Sequence, residues 1–142
     1  MKLKLFTTPK QIVACAPMIL LTFFLYGCSD DDNGPDGRTP FYGTYAVEES
    51  DSPTESPDEF YEITISKAGE SELSIDNFRF FFVPIKATIS GKNLTIKSQT
   101  FTQGNKTLEV SGSGVLENNV LTYTYTLTGF ANFTEYCVAT KK

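Results

Sequence analysis

With 142 residues, 17 acids, 12 bases and no histidine, the chain can build one core of ordinary size but not two. Its net charge of −5 argues against nucleic acid as a partner, because that affinity rests on Lys and Arg neutralising phosphates. Without histidine the commonest general base and metal ligand is missing. A carboxylate pair, as in glycosidases, is the alternative, but the acids are expected in loops and on outward strand positions, so no catalytic residue, metal or cofactor is expected and the chain is read as a non-enzyme.

The N-terminus carries the clearest signal. Lys2, Lys4 and Lys10 precede an apolar run over 12–26 that Pro17 interrupts. That run is shorter than the roughly 20 residues a helix needs to cross a bilayer. It closes on Gly27-Cys28, which reads as a lipoprotein processing site: 1–27 as signal peptide and Cys28 as the lipidated residue, a palmitate-type anchor, despite a bulky Tyr26 just before. The alternatives are a retained span, disfavoured by the acids that follow, and plain secretion. The run Ser29-Asp30-Asp31-Asp32 resembles the acidic export signal of surface lipoproteins in Bacteroidetes. That resemblance implies a bacterial outer-membrane anchor with the domain facing the cell exterior. Cleavage removes three lysines and no acid, taking the charge from −5 to −8. Residues 28–40 read as a lipidated acidic tether, solvated because no apolar residue follows Cys28 within it. Cys15 leaves with the signal and Cys28 takes the lipid. Cys137 then stands alone, expected as a small buried residue, with an intermolecular disulfide as the alternative.

From 41 to 142 the chain alternates apolar and polar residues in short runs punctuated by Gly and Asn, the signature of antiparallel β. Residues 48–59, with six acids and two prolines, read as a mobile loop; an EF-hand calcium spacing is missing. Residues 67–71 join Tyr61, Ile63 and Ile65 to Leu73 and Ile75. Gly91-Lys92 pairs Ile89 with Leu94 and Ala87 with Ile96. Gly104-Asn105 pairs Phe101 with Leu108, and the change of inward parity requires a bulge near 98–100. Asn118-Asn119 reads as a two-residue turn. It sets Leu116 against Leu121, Gly114 against Tyr123, Gly112 against Tyr125 and Val110 against Leu127. Gly112 and Gly114 are thus structural, lying opposite the rings of Tyr123 and Tyr125, rather than parts of a phosphate loop, which would need a Lys-Ser/Thr ending and a helix. In the last strand, about 133–140, either Cys137 and Ala139 or Tyr136 and Val138 face inward.

Eight strands in hairpin order suit an up-and-down barrel that leaves no edges, with a two-sheet β-sandwich as the alternative. Gly43-Thr44-Tyr45 is similar to the Gly-x-Trp opening of lipocalins, with Tyr in place of Trp. Together with Ile75-Asp76-Asn77-Phe78, Gly112-Ser113-Gly114 and Leu121-Thr122-Tyr123-Thr124, it resembles the small lipocalin-like lipoproteins of Bacteroidetes. The resemblance implies the barrel fold and no defined activity.

An up-and-down meander gathers alternate loops at one end. The compact turns 67–71, 91–92 and 118–119 share the end that the tether enters. The longer segments 48–59, 78–82, 103–106 and 128–132 share the other, carrying Phe80, Phe82 and Phe130 as a candidate binding mouth. Residues 78–82 read either as a hydrophobic plug or as contact surface. Two functions fit: a membrane-anchored binding module for a small apolar ligand, glycan or partner protein, or an accessory envelope lipoprotein with a filled barrel and no ligand. The acids are expected in loops and on outward strand positions.

Overall fold

Period-two alternation over this stretch does what it predicts: eight strands pair in sequence order, all antiparallel, and the last pairs with the first. The structure is a computed structural model and describes residues 36–129 and 132–142. The strands are β1 (Gly43–Ser50), β2 (Glu59–Ala68), β3 (Glu72–Asp76), β4 (Ile85–Ser90), β5 (Asn93–Gln103), β6 (Lys106–Glu117), β7 (Val120–Thr128) and β8 (Phe133–Lys141). The fold is therefore a closed barrel and not a sandwich. Closure pairs every strand on both sides, which removes the exposed edges that invite aggregation.

The expected registers of β5–β6 and β6–β7 hold. Asn118 and Asn119 take φ of 49° and 66°, the left-handed pair that matches the twist of a hairpin. Leu116 then meets Leu121, Gly114 meets Tyr123, Gly112 meets Tyr125 and Val110 meets Leu127. Phe101 meets Leu108 as expected. The bulge falls between Ile96 and Gln99, where β5 carries one more residue than β6. One expected pairing fails. The β4–β5 ladder runs from Ser90 and Asn93 to Thr88 and Thr95 and does not extend to Ala87 and Ile96. The bulge draws the strands apart there, and the Gln99 amide stands in for the ladder. Its Oε1 accepts from Lys86 N at 3.0 Å and its Nε2 donates to Lys86 O at 2.8 Å.

Inward positions form a single core: Tyr45 and Val47 from β1, Tyr61, Ile63 and Ile65 from β2, Leu94 and Ile96 from β5, Leu121, Tyr123, Tyr125 and Leu127 from β7. In β8 the ambiguity resolves in favour of Cys137 and Ala139, both buried, while Val138 faces out.

The compact end is sealed by residues expected in the tether. Arg38 is buried, and its Nη1 donates to Gly69 O at 3.2 Å and Glu72 O at 3.1 Å in the β2–β3 connection. Asp36 orients that guanidinium through bonds of 2.8 and 2.9 Å and also accepts from Tyr42 Oη at 2.8 Å. The Arg38 hydrogen bonds hold the Asp36 carboxyl well below the usual carboxylate range. Behind this clamp Phe41 is buried and its carbonyl accepts from Tyr45 Oη at 2.9 Å. Residues 36–40 thus belong to the folded unit, although composition alone assigns them to a tether. An arginine two residues before a proline gave no sign of being buried.

Candidate functional site

At the opposite end the sequence-based placement of the acids is overturned for two of them. Following the inward parity of β1 past Tyr45 and Val47 leads to Glu49, which is 1% exposed. In β8 the parity of Cys137 and Ala139 leads back to Glu135, which is 3% exposed. Both carboxylates point into the barrel, so neither belongs to a solvated loop or an outward face. Burying a carboxylate is costly unless it is paired, and the partner comes from the segment between β3 and β4.

That segment turns sharply. Among the described residues, five other than glycine take positive φ, and three of them are Asn77 (59°), Arg79 (46°) and Phe80 (60°). The turn drives Phe78 down the barrel axis, where it is fully buried with its ring 4.7 Å from Tyr125 and 6.1 Å from Tyr123. Arg79 follows above it. Its Nη1 donates to Glu135 Oε1 at 2.7 Å and to Tyr125 Oη at 3.0 Å, and its Nε lies 3.5 Å from Glu49 Oε1. The guanidinium also sits over the Phe133 ring, 4.4 Å from its centroid, within cation–π range.

The second oxygen of Glu49 is heavily solicited. Oε2 accepts from Tyr61 Oη at 2.6 Å and Tyr125 Oη at 2.9 Å, with Cys137 Sγ at 3.6 Å. Tyr123 Oη stands 3.5 Å from Tyr61 Oη. Oε1 is different: it is buried and accepts no hydrogen bond from the described residues, holding only the ion-pair approach of Arg79.

The electrostatics follow from burial. Desolvation pushes the Tyr61, Tyr123 and Tyr125 phenols well above their ordinary value, so they act as neutral donors. Burial, with the Glu49 carboxylate adding, pushes the Cys137 thiol up to about 12, which makes it an inert donor rather than a nucleophile. Burial raises Glu135 despite the opposing Arg79. Burial works against the Arg79 cation, but Tyr125, Glu135 and Glu49 together raise it above the ordinary arginine value.

The candidate mouth is thus met in part. Phe80 is half exposed with its ring 5.1 Å from Tyr61, and Phe82 is 96% exposed. Phe130 and Cys28 lie outside the described residues. The segment over 78–82 combines both readings: Phe78 and Phe81 plug the barrel while Phe80 and Phe82 face solvent. The acidic loop, 51–58 once its ends join strands, leaves β1 at Ser50, next to Glu49, and so starts from the mouth end. It folds along the outside of the barrel, where Pro53, Glu55 and Pro57 border a groove of about 200 Å³ with Thr122, Thr124, Tyr136 and Val138. Tyr123 and Tyr125 do more than shield glycines, since their hydroxyls belong to the charged cluster. Strand parity was the signal that could have found Glu49 and Glu135; Arg79, in a turn, carried none. Among the described residues no group of three or more acids and cysteines is disposed to hold a metal ion.

No protein-family model, curated protein or solved structure matches this chain.

Proposed function

We propose that this chain is a lipid-anchored binding module of a bacterial outer membrane, held through Cys28 with its barrel facing the cell exterior, and that it takes its ligand at the end bearing Arg79, Phe80 and Phe82. The carrying observation is the contrast between the two ends. Arg38, Phe41 and Tyr45 seal one end with hydrogen bonds to main-chain carbonyls. The other gathers two buried carboxylates, an arginine and three phenols beside solvent-facing aromatics. Charged and phenolic groups converging at a barrel mouth supply orientation and specificity, and exposed rings supply contact area. The reading gives the protein no chemistry of its own. It keeps the kinship to small lipocalin-like lipoproteins as the source of the fold, with a small ligand, a glycan or a protein patch as the class of partner.

The second reading, an accessory lipoprotein with a filled barrel, is favoured by Phe78, which occupies the axis against Tyr123 and Tyr125. One experiment separates them. Amide NMR shifts of the labelled protein are followed against a panel of neutral glycans, apolar molecules and organic cations. Shifts confined to residues around 77–84 and 133–135 support the module. Shifts at Gly91-Lys92 alone overturn the mouth assignment, and none across the panel supports the accessory role.

A further inference from the structure

Two carboxylates lie inside the mouth with one cation between them. If both are ionised the cluster keeps a net negative charge, and Glu49 Oε1 is buried without a hydrogen-bond donor among the described residues. Arg79 meets that oxygen only at 3.5 Å through Nε, while Nη1 is committed to Glu135 and Tyr125. The guanidinium is therefore placed well for one carboxylate and poorly for the other. It also reaches the site from outside: its side chain is 26% exposed, against 1% for Glu49 and 4% for Glu135. The backbone that delivers it holds Arg79 and Phe80 in left-handed conformations, which a Cβ disfavours. A stable, purely structural ion pair needs both partners satisfied and gains nothing from a strained carrier.

We propose that Glu49 and Glu135, with Tyr61 and Tyr125, form a binding site for a planar guanidinium head group, and that Arg79 occupies it as a tethered surrogate which the ligand displaces. The site selects a flat cation over an ammonium. Glu135 accepts from the planar fork at 2.7 Å and Glu49 Oε1 lies 3.5 Å from it with no donor of its own, a pair of acceptors suited to a fork of N–H donors. The Phe133 ring covers one face at 4.4 Å. An incoming guanidinium free of the Arg79 tether can turn a donor toward Glu49 Oε1 while keeping Glu135. When Arg79 leaves, Phe80 and Phe82 move with it, and the mouth opens. The exposed rings then stand where the remainder of the ligand would lie. This inference rests on the reading of that end as the mouth and adds the chemical class of what enters.

A tethered group competes at about millimolar or higher effective concentration, so the test removes it. Arg79→Gly deletes the side chain and suits the left-handed backbone. The full chain carrying it is melted with increasing methylguanidinium at low millimolar concentration, and with sodium chloride at matched ionic strength. We expect the variant to melt below the wild type and to regain most of the lost midpoint, saturably, with methylguanidinium and not with salt or methylammonium. Wild type should shift little. Adding Glu49→Gln and Glu135→Gln to Arg79→Gly should abolish the response. If Arg79→Gly does not fold in buffer, refolding is followed by near-ultraviolet circular dichroism of the tyrosines, with and without the probe. Recovery only with methylguanidinium supports the site. No recovery with it, no midpoint response, or an equal response in the triple variant overturns it. N-acetyl-argininamide in the same assay distinguishes a head group carried on a peptide from a free small molecule. Failure of the rescue removes the guanidinium class while leaving the NMR panel to decide the mouth.

Discussion

Gly114→Ala probes one of the places where the barrel has little room. A Cβ at 114 would lie 2.5 Å from Tyr123 Cβ and 2.7 Å from the Thr122 carbonyl oxygen. Non-bonded carbons rest about 3.5–4.0 Å apart, so relief requires a movement of about 1 Å. Neither neighbour is the tip of a flexible side chain, and β6 and β7 are each held on their far sides by β5 and β8. The strands must part locally, which adds a weakened ladder hydrogen bond, about 1 kcal/mol, to an overpacking cost of about 1–3 kcal/mol. We expect a loss of about 2–4 kcal/mol, which for a domain of this size lowers the melting midpoint by at least about 8 °C. The assay is urea unfolding followed by far-ultraviolet circular dichroism. Gly37→Ala is the control: a Cβ there meets nothing within 4 Å and φ is not positive, so its cost should stay within about 0.5 kcal/mol. A Gly114→Ala midpoint equal to wild type, or a Gly37→Ala loss as large, would refute the argument from close approach.

Other outcomes follow from the same geometry. Cys137, buried with its pKa pushed up to about 12, should resist a thiol reagent at pH 8 in the native protein and react only after unfolding; prompt native labelling contradicts this. Because its folded pKa lies above the unfolded value, the stability it contributes is complete below about pH 9 and declines as pH rises towards 12. Tyr61, Tyr123 and Tyr125, also raised by burial, act in the same direction above about pH 10. Urea midpoints should therefore hold level from pH 7 to about 9 and fall from there to pH 11, and a profile flat to pH 11 refutes the assignment. Arg38→Ala should cost about 1–3 kcal/mol by leaving the Gly69 and Glu72 carbonyls without their buried donor, whereas Phe82→Ala should stay within about 0.5 kcal/mol; chemical melts of both variants check the pair. Cys28→Ala should abolish labelling by a fatty-acid probe and release the protein from membranes, and persistent labelling would defeat the anchor.

The hairpins were legible because two local signals agree in them. Asn118-Asn119 fixes a turn and the parity of Leu121, Tyr123 and Tyr125 fixes a face, so a one-residue slip would turn the whole apolar set outward. Even the bulge could be read, since Leu94 and Ile96 share one parity and Phe101 has the other. The charged cluster escaped for the converse reason. Glu49 and Glu135 occupy inward positions, yet glutamate in an acid-rich stretch reads as solvated, and hydropathy overrode parity. What licenses the two acids is Arg79, 30 residues and more away along the chain, and no local rule couples them. Arg38 escaped similarly, because its partners are carbonyls in the distant β2–β3 connection. Both arginines of the chain are thus spent on opposite ends of the barrel, in contacts that exist only once it has closed.

Closure has a kinetic consequence. Glu49 of β1 meets Cys137 of β8 across 88 positions of sequence, and the β1–β8 ladder is the only seam in the sheet without a hairpin behind it. All other neighbours can zip locally as they emerge, but this seam must wait for β8 to be synthesised. Until then β1 and β7 each present an open edge, and the chain remains an unclosed ribbon that can still be threaded through a pore. A chain cut short before β8 would keep both edges and self-associate. Folding should accordingly show one slow, late phase, governed by the distance between β1 and β8 along the chain.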